Sequence, residues 1–328
     1  MLRQAHHERI EDVAVEAVDL VKDFGVTRAV DGLSFAVPAG SIFGLLGPNG
    51  AGKTTTLRLL LGIIDPTSGT RHVLGHSRPL EAAHEVGYLP EERGLYPSMT
   101  ARDAIGFMGA LRGLPLAEGR HRADALLARH NLGEWARKPI RTLSKGMAQT
   151  VQLLGSIVHR PRLIVLDEPF SGLDAINQQR LEELIRREAE SGATIIFSTH
   201  VIAHAERLCE RVAIIAAGRV AFDGTVDEAR GRLRPIVRLR TRAADGAWRS
   251  AIPAGARHER GEWVFELPHD GPEPLLKALI DGAAGIETLA IERPGLHDAF
   301  VAIAGSGAAA EMGEATEADA MREAGAEQ

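Results

Sequence analysis

The nine residues from Gly47 to Thr55, GPNGAGKTT, constrain this chain more than any other stretch. They follow a short apolar run, SIFGLL (41–46), and lead into TTLRLLLGI, whose apolar positions recur with helical period. The G-x-x-x-x-G-K-[ST] spacing between a strand and a helix makes one kind of turn. Glycines without a Cβ let successive backbone N–H groups curl round a phosphate, and the helix N-terminus adds a favourable dipole. The cradle comprises Gly47, Pro48, Asn49, Gly50, Ala51, Gly52 and Thr55. Lys53 brings a point charge to the outer phosphates, and the Thr54 hydroxyl is placed to ligate Mg²⁺. The expectation is an α/β fold built on a P-loop nucleoside-triphosphatase core.

Further apolar runs support it: RLIVL (162–166), ATIIFS (193–198) and RVAIIA (211–216). Short uninterrupted apolar runs separated by helical patterns are the mark of buried parallel strands. The layer is expected over residues 13 to about 90 and 160 to 230, with an antiparallel β edge. Between its halves, residues 100–159 carry helix-period positions and few strand signals, which reads as a helical insertion. The run LIVLDE (163–168) ends a strand in two carboxylates, at the sheet edge where α/β ligands bind. Paired with the glycine loop, Asp167 reaches the metal and Glu168 polarises an attacking water as general base. Alone, such a pair is also what the first turn of a helix shows.

Composition narrows the class. Lys and Arg total 38 against 44 Asp and Glu, a net charge of −6, and residues 304–328 alone carry six acids and one arginine. The remainder is nearly neutral and offers no broad basic surface for a phosphate backbone, so no nucleic acid is expected as a partner. Cys209 is the only cysteine, which excludes an intrachain disulfide and a cysteine-built zinc site and fits a reducing cytosol. The longest uncharged stretch, Gly32 to Gly52, holds six glycines and two prolines, unlike a membrane-spanning helix. The N-terminus shows no apolar signal region.

After Pro235 the texture changes. IVRLRT (236–241), EWVFEL (262–267) and IETLAI (286–291) read as strands and Glu273–Ile280 as a helix, giving a small α+β domain over 235–303. The alternation of Arg238, Arg240 and Arg242 with Val237, Leu239 and Thr241 is either a basic face for a lipid or partner, or a solvated strand face. The expected organisation is a flexible N-terminus (1–12), the ATPase domain (13–230, helical subdomain about 92–159), the accessory domain, and a disordered acidic tail (304–328).

Three more motifs stand in fixed order around LDE: LSKGM (143–147), SGLD (171–174) and FSTH (197–200). With the glycine loop they give a chain that resembles the ATP-binding subunits of ABC transporters over residues 13 to about 230. The resemblance implies ATP and Mg²⁺ as cofactors and a head-to-tail pair as the working unit, formed with a second copy or a homologous ATPase subunit. ATP is then sandwiched between the glycine loop of one chain and the signature of the other. It implies that Ser144 and Gly146 contact the γ-phosphate bound by the partner, that His200 bonds the γ-phosphate and holds the attacking water, and that Asp174 sits at the dimer seam. Lys53, Glu168 and His200 are the expected catalytic residues. Phe24, in VKDFG, stands where an aromatic stacks on adenine, unless it is an ordinary core phenylalanine.

Three departures from the family pattern stand out. Glu91, in LPEE, replaces a usual glutamine and joins Thr54 and Asp167 as an expected metal ligand. Lys145 and Met147 stand where Gly and Gln are commoner, and Lys145 either attracts nucleotide across the dimer or points to solvent. The wording LPEERGLYP and LSKG, with the extra domain, resembles the branch that serves separately encoded ABC-2-type export permeases, which implies a cytoplasmic subunit held at the inner face of the membrane by integral-membrane permease subunits. Docking is implied around Glu91 to Met99, with Leu95, Tyr96 and Met99 exposed, unless they are buried in the insertion. The alternative, a soluble ABC-type ATPase acting on nucleic acid or ribosomes, usually shows two cassettes or coiled-coil arms, and this chain shows neither.

Overall fold

The computed structural model describes residues 13–92 and 94–305. The N-terminus expected to be flexible (1–12) and residues 306–328 of the expected tail lie outside them. Residues 304 and 305 do not begin a tail: they belong to a helix described from 296 to 305, in which Leu296, Ala299 and Ile303 are buried at helical spacing.

The described chain divides into two compact units, one running through Thr225 and resuming at Ile303, the other Val226–Ala302. The break therefore falls at Thr225, before the 230–235 expected from composition. The first unit opens with β1 (Val13–Phe24), β2 (Thr27–Pro38), β3 (Ile42–Leu46), α1 (Lys53–Leu60), β4 (Ser68–Val73) and β5 (Val86–Leu89). The helical insertion comes next, as α2 (Ala101–Ala110), α3 (Leu116–Arg129) and α4 (Lys145–Ile157). The chain then alternates through β6 (Leu163–Asp167), α5 (Ala175–Glu190), β7 (Thr194–Thr199), α6 (Ile202–Leu208), β8 (Arg211–Ala216) and β9 (Arg219–Thr225).

The main sheet has the order β5-β6-β7-β3-β8-β9, parallel except for β9, which runs antiparallel to β8. Its central strands are buried along their whole length: every residue of β6 and β7 is inside, and so are four of the five in β3. That is why they read as unbroken apolar runs rather than alternating ones. A second, antiparallel sheet, β2-β1-β4, forms the expected β edge. A core packs between them: Leu20, Val30 and Phe35 of the edge sheet meet Phe43 of β3, Leu57 and Leu60 of α1, and Val165 of β6, with the Phe35 and Phe43 rings stacked at 5.5 Å. Three helix starts are set by side-chain caps: Thr100, Ser144 and Asp174 each accept the backbone N–H three residues on.

The second unit contains α7 (Val226–Arg230), β10 (Ile236–Thr241), β11 (Arg257–Glu259), β12 (Glu262–Glu266), α8 (Pro272–Asp281) and β13 (Ile286–Glu292). Its sheet, β11-β12-β10-β13, is antiparallel, and Val237, Leu239, Phe265, Trp248, Leu275 and Leu279 form its core. Arg238, Arg240 and Arg242 lie on the other face, opposite Glu292 (3.1 Å), Glu262 (2.9 Å) and Glu287 (3.9 Å) of the flanking strands. The row is a solvated strand face with its charge matched across the sheet, not a free basic surface.

His159, just past α4, couples this fold to pH. Its Nε2 lies 3.2 Å from the Val86 carbonyl, its Nδ1 is buried without a hydrogen-bond partner, and burial pushes its pKa from 6.5 down to about 4. Between those values the unfolded chain binds a proton that the folded chain refuses, so this contribution is full above pH 6.5 and lost as the pH falls towards 4. Between pH 7 and pH 5 the urea midpoint of the wild type is expected to fall further than that of His159→Gln. Equal falls would show that His159 does not titrate in this way.

Candidate active site

β3, β6 and β7 are neighbours in the sheet, and the site lies just beyond their C-terminal ends. In register, Leu46 pairs with Thr199 and Asp167 pairs with Ser198. The glycine loop after β3, the acid pair ending β6 and the histidine after β7 therefore emerge side by side. The loop can turn there because two of its glycines sit where a side chain has no room. A Cβ on Gly47 would lie 2.5 Å from the Ile215 carbonyl. Gly52, at φ +100° immediately before α1, would place one 2.5 Å from the Ala29 carbonyl.

Around the loop lies an open cleft of about 470 Å³, lined by Asn49, Gly50, Gly52, Lys53, Thr54, Thr55, Glu91, Glu168 and His200 of the expected residues. Ser171, the first residue of the SGLD motif, also lines it, as does Ala29, which the sequence does not single out. Ala51 is buried under the loop, with its carbonyl accepting the Gly218 N–H at 3.1 Å. Lys53 is buried, and its Nζ donates to the carbonyls of Gly47 (2.9 Å) and Pro48 (3.1 Å). The loop thus carries its own cation at its centre.

Asp167 lies beneath the cleft. Its Oδ1 accepts from Thr54 Oγ1 (3.1 Å) and from Ser198 Oγ (2.6 Å), so α1 and β7 both hold the carboxylate in place. Thr54 and Asp167 together present oxygens of the kind that hold Mg²⁺. Burial pushes the nearby Tyr88 phenol up, and the Asp167 charge pushes it further.

Glu168 adopts φ +46°, the left-handed region that L side chains disfavour, at a cost of order 1–2 kcal/mol. Its N–H donates to Ser198 Oγ (3.0 Å), and its carboxylate turns into the cleft, with Oε2 3.0 Å from His200 Nδ1 and Oε1 3.4 Å from Lys53 Nζ. Oε1 is buried without a hydrogen-bond partner. A strained carboxylate with one oxygen held by His200 and the other free of hydrogen bonds, with only the Lys53 charge beside it, has an oxygen available to accept a proton.

Eight expected residues are not among those lining this cleft: Gly47, Pro48 and Ala51 of the loop, Asp167 beneath it, and Phe24, Ser144, Gly146 and Asp174. Ser144 caps α4 through the Met147 N–H (3.2 Å) and is exposed; Gly146, the second residue of α4, is buried against Asn177. Asp174 caps α5, and its bonds from Asn177 hold its carboxyl below the usual carboxylate range. Lys145 does not reach for solvent alone: its Nζ lies against Gly172 of its own SGLD turn, leaving no room for a Cβ there. Phe24 is half-exposed at the end of β1, with Lys22 Nζ 5.2 Å from its ring centre, so it is not a core phenylalanine.

Ser198 is a further site residue that sequence reasoning missed. The available signal was a hydroxyl near the end of an otherwise apolar buried strand, which must find a partner inside.

Comparison with known proteins agrees with this geometry. Residues 30–171 match the sequence profile of the ABC transporter family. The Bacillus subtilis protein YhaQ, named as an uncharacterized ABC transporter ATP-binding protein, is 34% identical over 292 residues, covering 86% of this chain and 95% of that protein. The daunorubicin/doxorubicin resistance ATP-binding protein DrrA of Streptomyces peucetius is 34% identical over 280 residues, covering 84% of each. Among solved structures, an ATP-binding subunit of an ABC transporter superposes with a TM-score of 0.62 at 32% identity, over 67% of this chain and 92% of the other.

The Ser198 hydroxyl, fully buried, serves both acids at once. Ser198→Ala leaves the Glu168 N–H without this acceptor and takes a donor from Asp167, at an expected cost of about 1–3 kcal/mol. Chemical denaturation monitored by circular dichroism measures it, and an unchanged midpoint would mean that the hydroxyl does not hold the pair.

Proposed function

The chain belongs to the ATP-binding subunits of ABC transporters, and on that premise we propose that it closes head to tail on ATP with a second copy or a homologous subunit. Hydrolysis then drives export through a separately encoded membrane permease. The observation that carries this reading is the convergence of Lys53, Thr54, Asp167, Glu168 and His200 at the ends of three adjacent parallel strands.

In this reading Lys53 exchanges its two loop carbonyls for the outer phosphates of ATP, and the backbone N–H groups from Gly50 to Thr55 take the remaining oxygens. Thr54 and Asp167 hold Mg²⁺, with Glu91 at the rim of the cleft as a further carboxylate. The metal supplies charge neutralisation across the phosphates. Glu168 Oε1, which has no hydrogen bond to lose, takes a proton from the attacking water while His200 fixes Oε2. His200 also bonds the γ-phosphate. Ser144 and Gly146 stand outside their own cleft, which supports a role for them on the nucleotide of the partner subunit. Asp174 is assigned to the seam and Phe24 to the adenine.

The resemblance to DrrA supports the export branch, and cargo selection belongs to the permease. No helix among the described residues is long and apolar enough to cross a membrane. The chain's kinship with the ATP-binding subunits of transporters supports a place at the cytoplasmic face, held there through its partner. Domain boundaries follow the two compact units, with the second as the accessory domain.

Glu168→Gln keeps the size of the side chain and removes the base, so ATP hydrolysis should fall by about 10²–10⁴-fold while ATP binding persists. In size-exclusion chromatography ATP should then hold a dimer. Wild-type hydrolysis by this variant would refute the assignment of the base.

The docking surface is placed at Tyr96, which is 60% exposed and packs edge-on against Phe107 at 6.3 Å; Leu95 and Met99 are half-buried. Exposed aromatics are favoured interface anchors. Tyr96→Ala should weaken co-purification with the permease while leaving basal ATPase activity within twofold and the melting temperature nearly unchanged. A large drop in melting temperature would show Tyr96 to be core.

A further inference from the structure

Behind the cleft lies a buried charged cluster that the chemistry above does not use. Glu182 of α5 and His204 of α6 are both about 95% or more buried, and His204 Nδ1 lies 2.9 Å from Glu182 Oε1. Arg207, one turn further along α6, places Nε 3.1 and 3.2 Å from the two Glu182 oxygens and bonds Oε1 again through Nη2; Arg186 stands 3.8 Å away. Burial works against ionisation of Glu182, but the bonds from Arg207 and His204 outweigh it and keep the carboxyl below its ordinary range.

Buried ion pairs contribute little net stability compared with well-packed apolar residues, so this one needs another reason to be there. The reason lies in what His204 touches. Its ring stacks on Phe170, with centroids 3.9 Å apart and planes 11° from parallel. Phe170 is buried two residues after Glu168, and its edge meets Phe197 of β7 at 5.9 Å. His204 lies four residues after His200. The loop carrying Glu168 and the helix after His200 therefore meet a second time, behind the pair, and α5 clamps that contact.

We propose that His204 and Glu182, through the stack on Phe170, are positioning residues that hold Glu168 and His200 in register for hydrolysis. The proposal rests on the reading of Glu168 and His200 as the catalytic pair. Neither positioning residue lines the nucleotide cleft. Their loss should therefore act on turnover and not on ATP binding. α5 begins at Asp174 and carries Glu182 two turns later, so a displacement of the SGLD turn has a rigid path of about 12 Å to the pair.

The test uses the full chain, with steady-state ATP hydrolysis and the imidazole NMR signals of His200 as readouts. His204→Gln keeps a polar partner for Glu182 and removes the ring. It should lower kcat fivefold or more, leave KM for ATP within twofold and shift the His200 signals. His204→Phe, which keeps a flat ring on Phe170, should retain at least half of the wild-type kcat. Wild-type turnover in His204→Gln, an unshifted His200 signal, or equal losses in the two variants would overturn the proposal. If His204→Gln does not fold, the isosteric Glu182→Gln takes its place, with the same loss of kcat expected and wild-type behaviour overturning the idea. Glu168→Gln separates the two readings: if it hydrolyses normally, the site assignment fails. If it is inactive while the His204 and Glu182 variants match the wild type, only the positioning role fails.

Discussion

The register of β3, β6 and β7 is the constraint on which the site depends. Asp167 sits opposite Ser198, and Leu46 opposite Thr199, so three chain segments leave the sheet at one level. A parallel sheet with both faces covered fixes register strongly, because a slip of one residue would turn each strand's side chains to the opposite face. The hydroxyl of Ser198 converts that register into chemistry. It donates a hydrogen bond to Asp167 and accepts one from the Glu168 N–H, so one buried atom orients the Asp167 carboxylate and supports a strained residue. The strain at Glu168 is tolerated only because the surrounding strands over-determine it.

Much of this was legible in the sequence, for identifiable reasons. β3, β6, β7 and β8 lie in the interior of a covered sheet, so their apolar runs are unbroken and their ends can be read to within a residue. The loop was legible because its glycines answer to local sterics, and local sterics leave a local signature. The β1–β2 pair was anticipated only as an antiparallel edge. Its pairing shifts register between Ala17 and Leu20 and again around Lys22, with Asp19 at φ +49°, and such irregularities blur the alternation that marks a half-buried strand.

What could not be read are the contacts between distant positions. Ser198 in a buried strand has no spacing rule, and its role comes from its place across the sheet from Asp167. The pairing of Glu182 with His204, 22 residues apart, depends on two helices packing side by side. The basic alternation in β10 had two readings, and the choice needed the glutamates that β12 and β13 bring alongside. The early boundary at Thr225 likewise reflects contacts that composition does not carry.

One helix joins these levels. α5 is capped by Asp174 at the SGLD turn, where Lys145 of α4 lies against Gly172 and Gly146 is buried against Asn177. The start of α4 and the SGLD turn are thus packed together within one chain, at the N-terminal end of α5. Two turns later the same helix contributes Glu182 to the cluster behind Glu168 and His200. A packed helix transmits a displacement because its neighbours cannot deform continuously around it. In the proposed dimer, a partner subunit that engages Ser144 and Asp174 presses on the helix that carries Glu182. On the proposed head-to-tail pairing, dimer closure and the positioning of Glu168 are one mechanical event, with the buried ion pair as its far end.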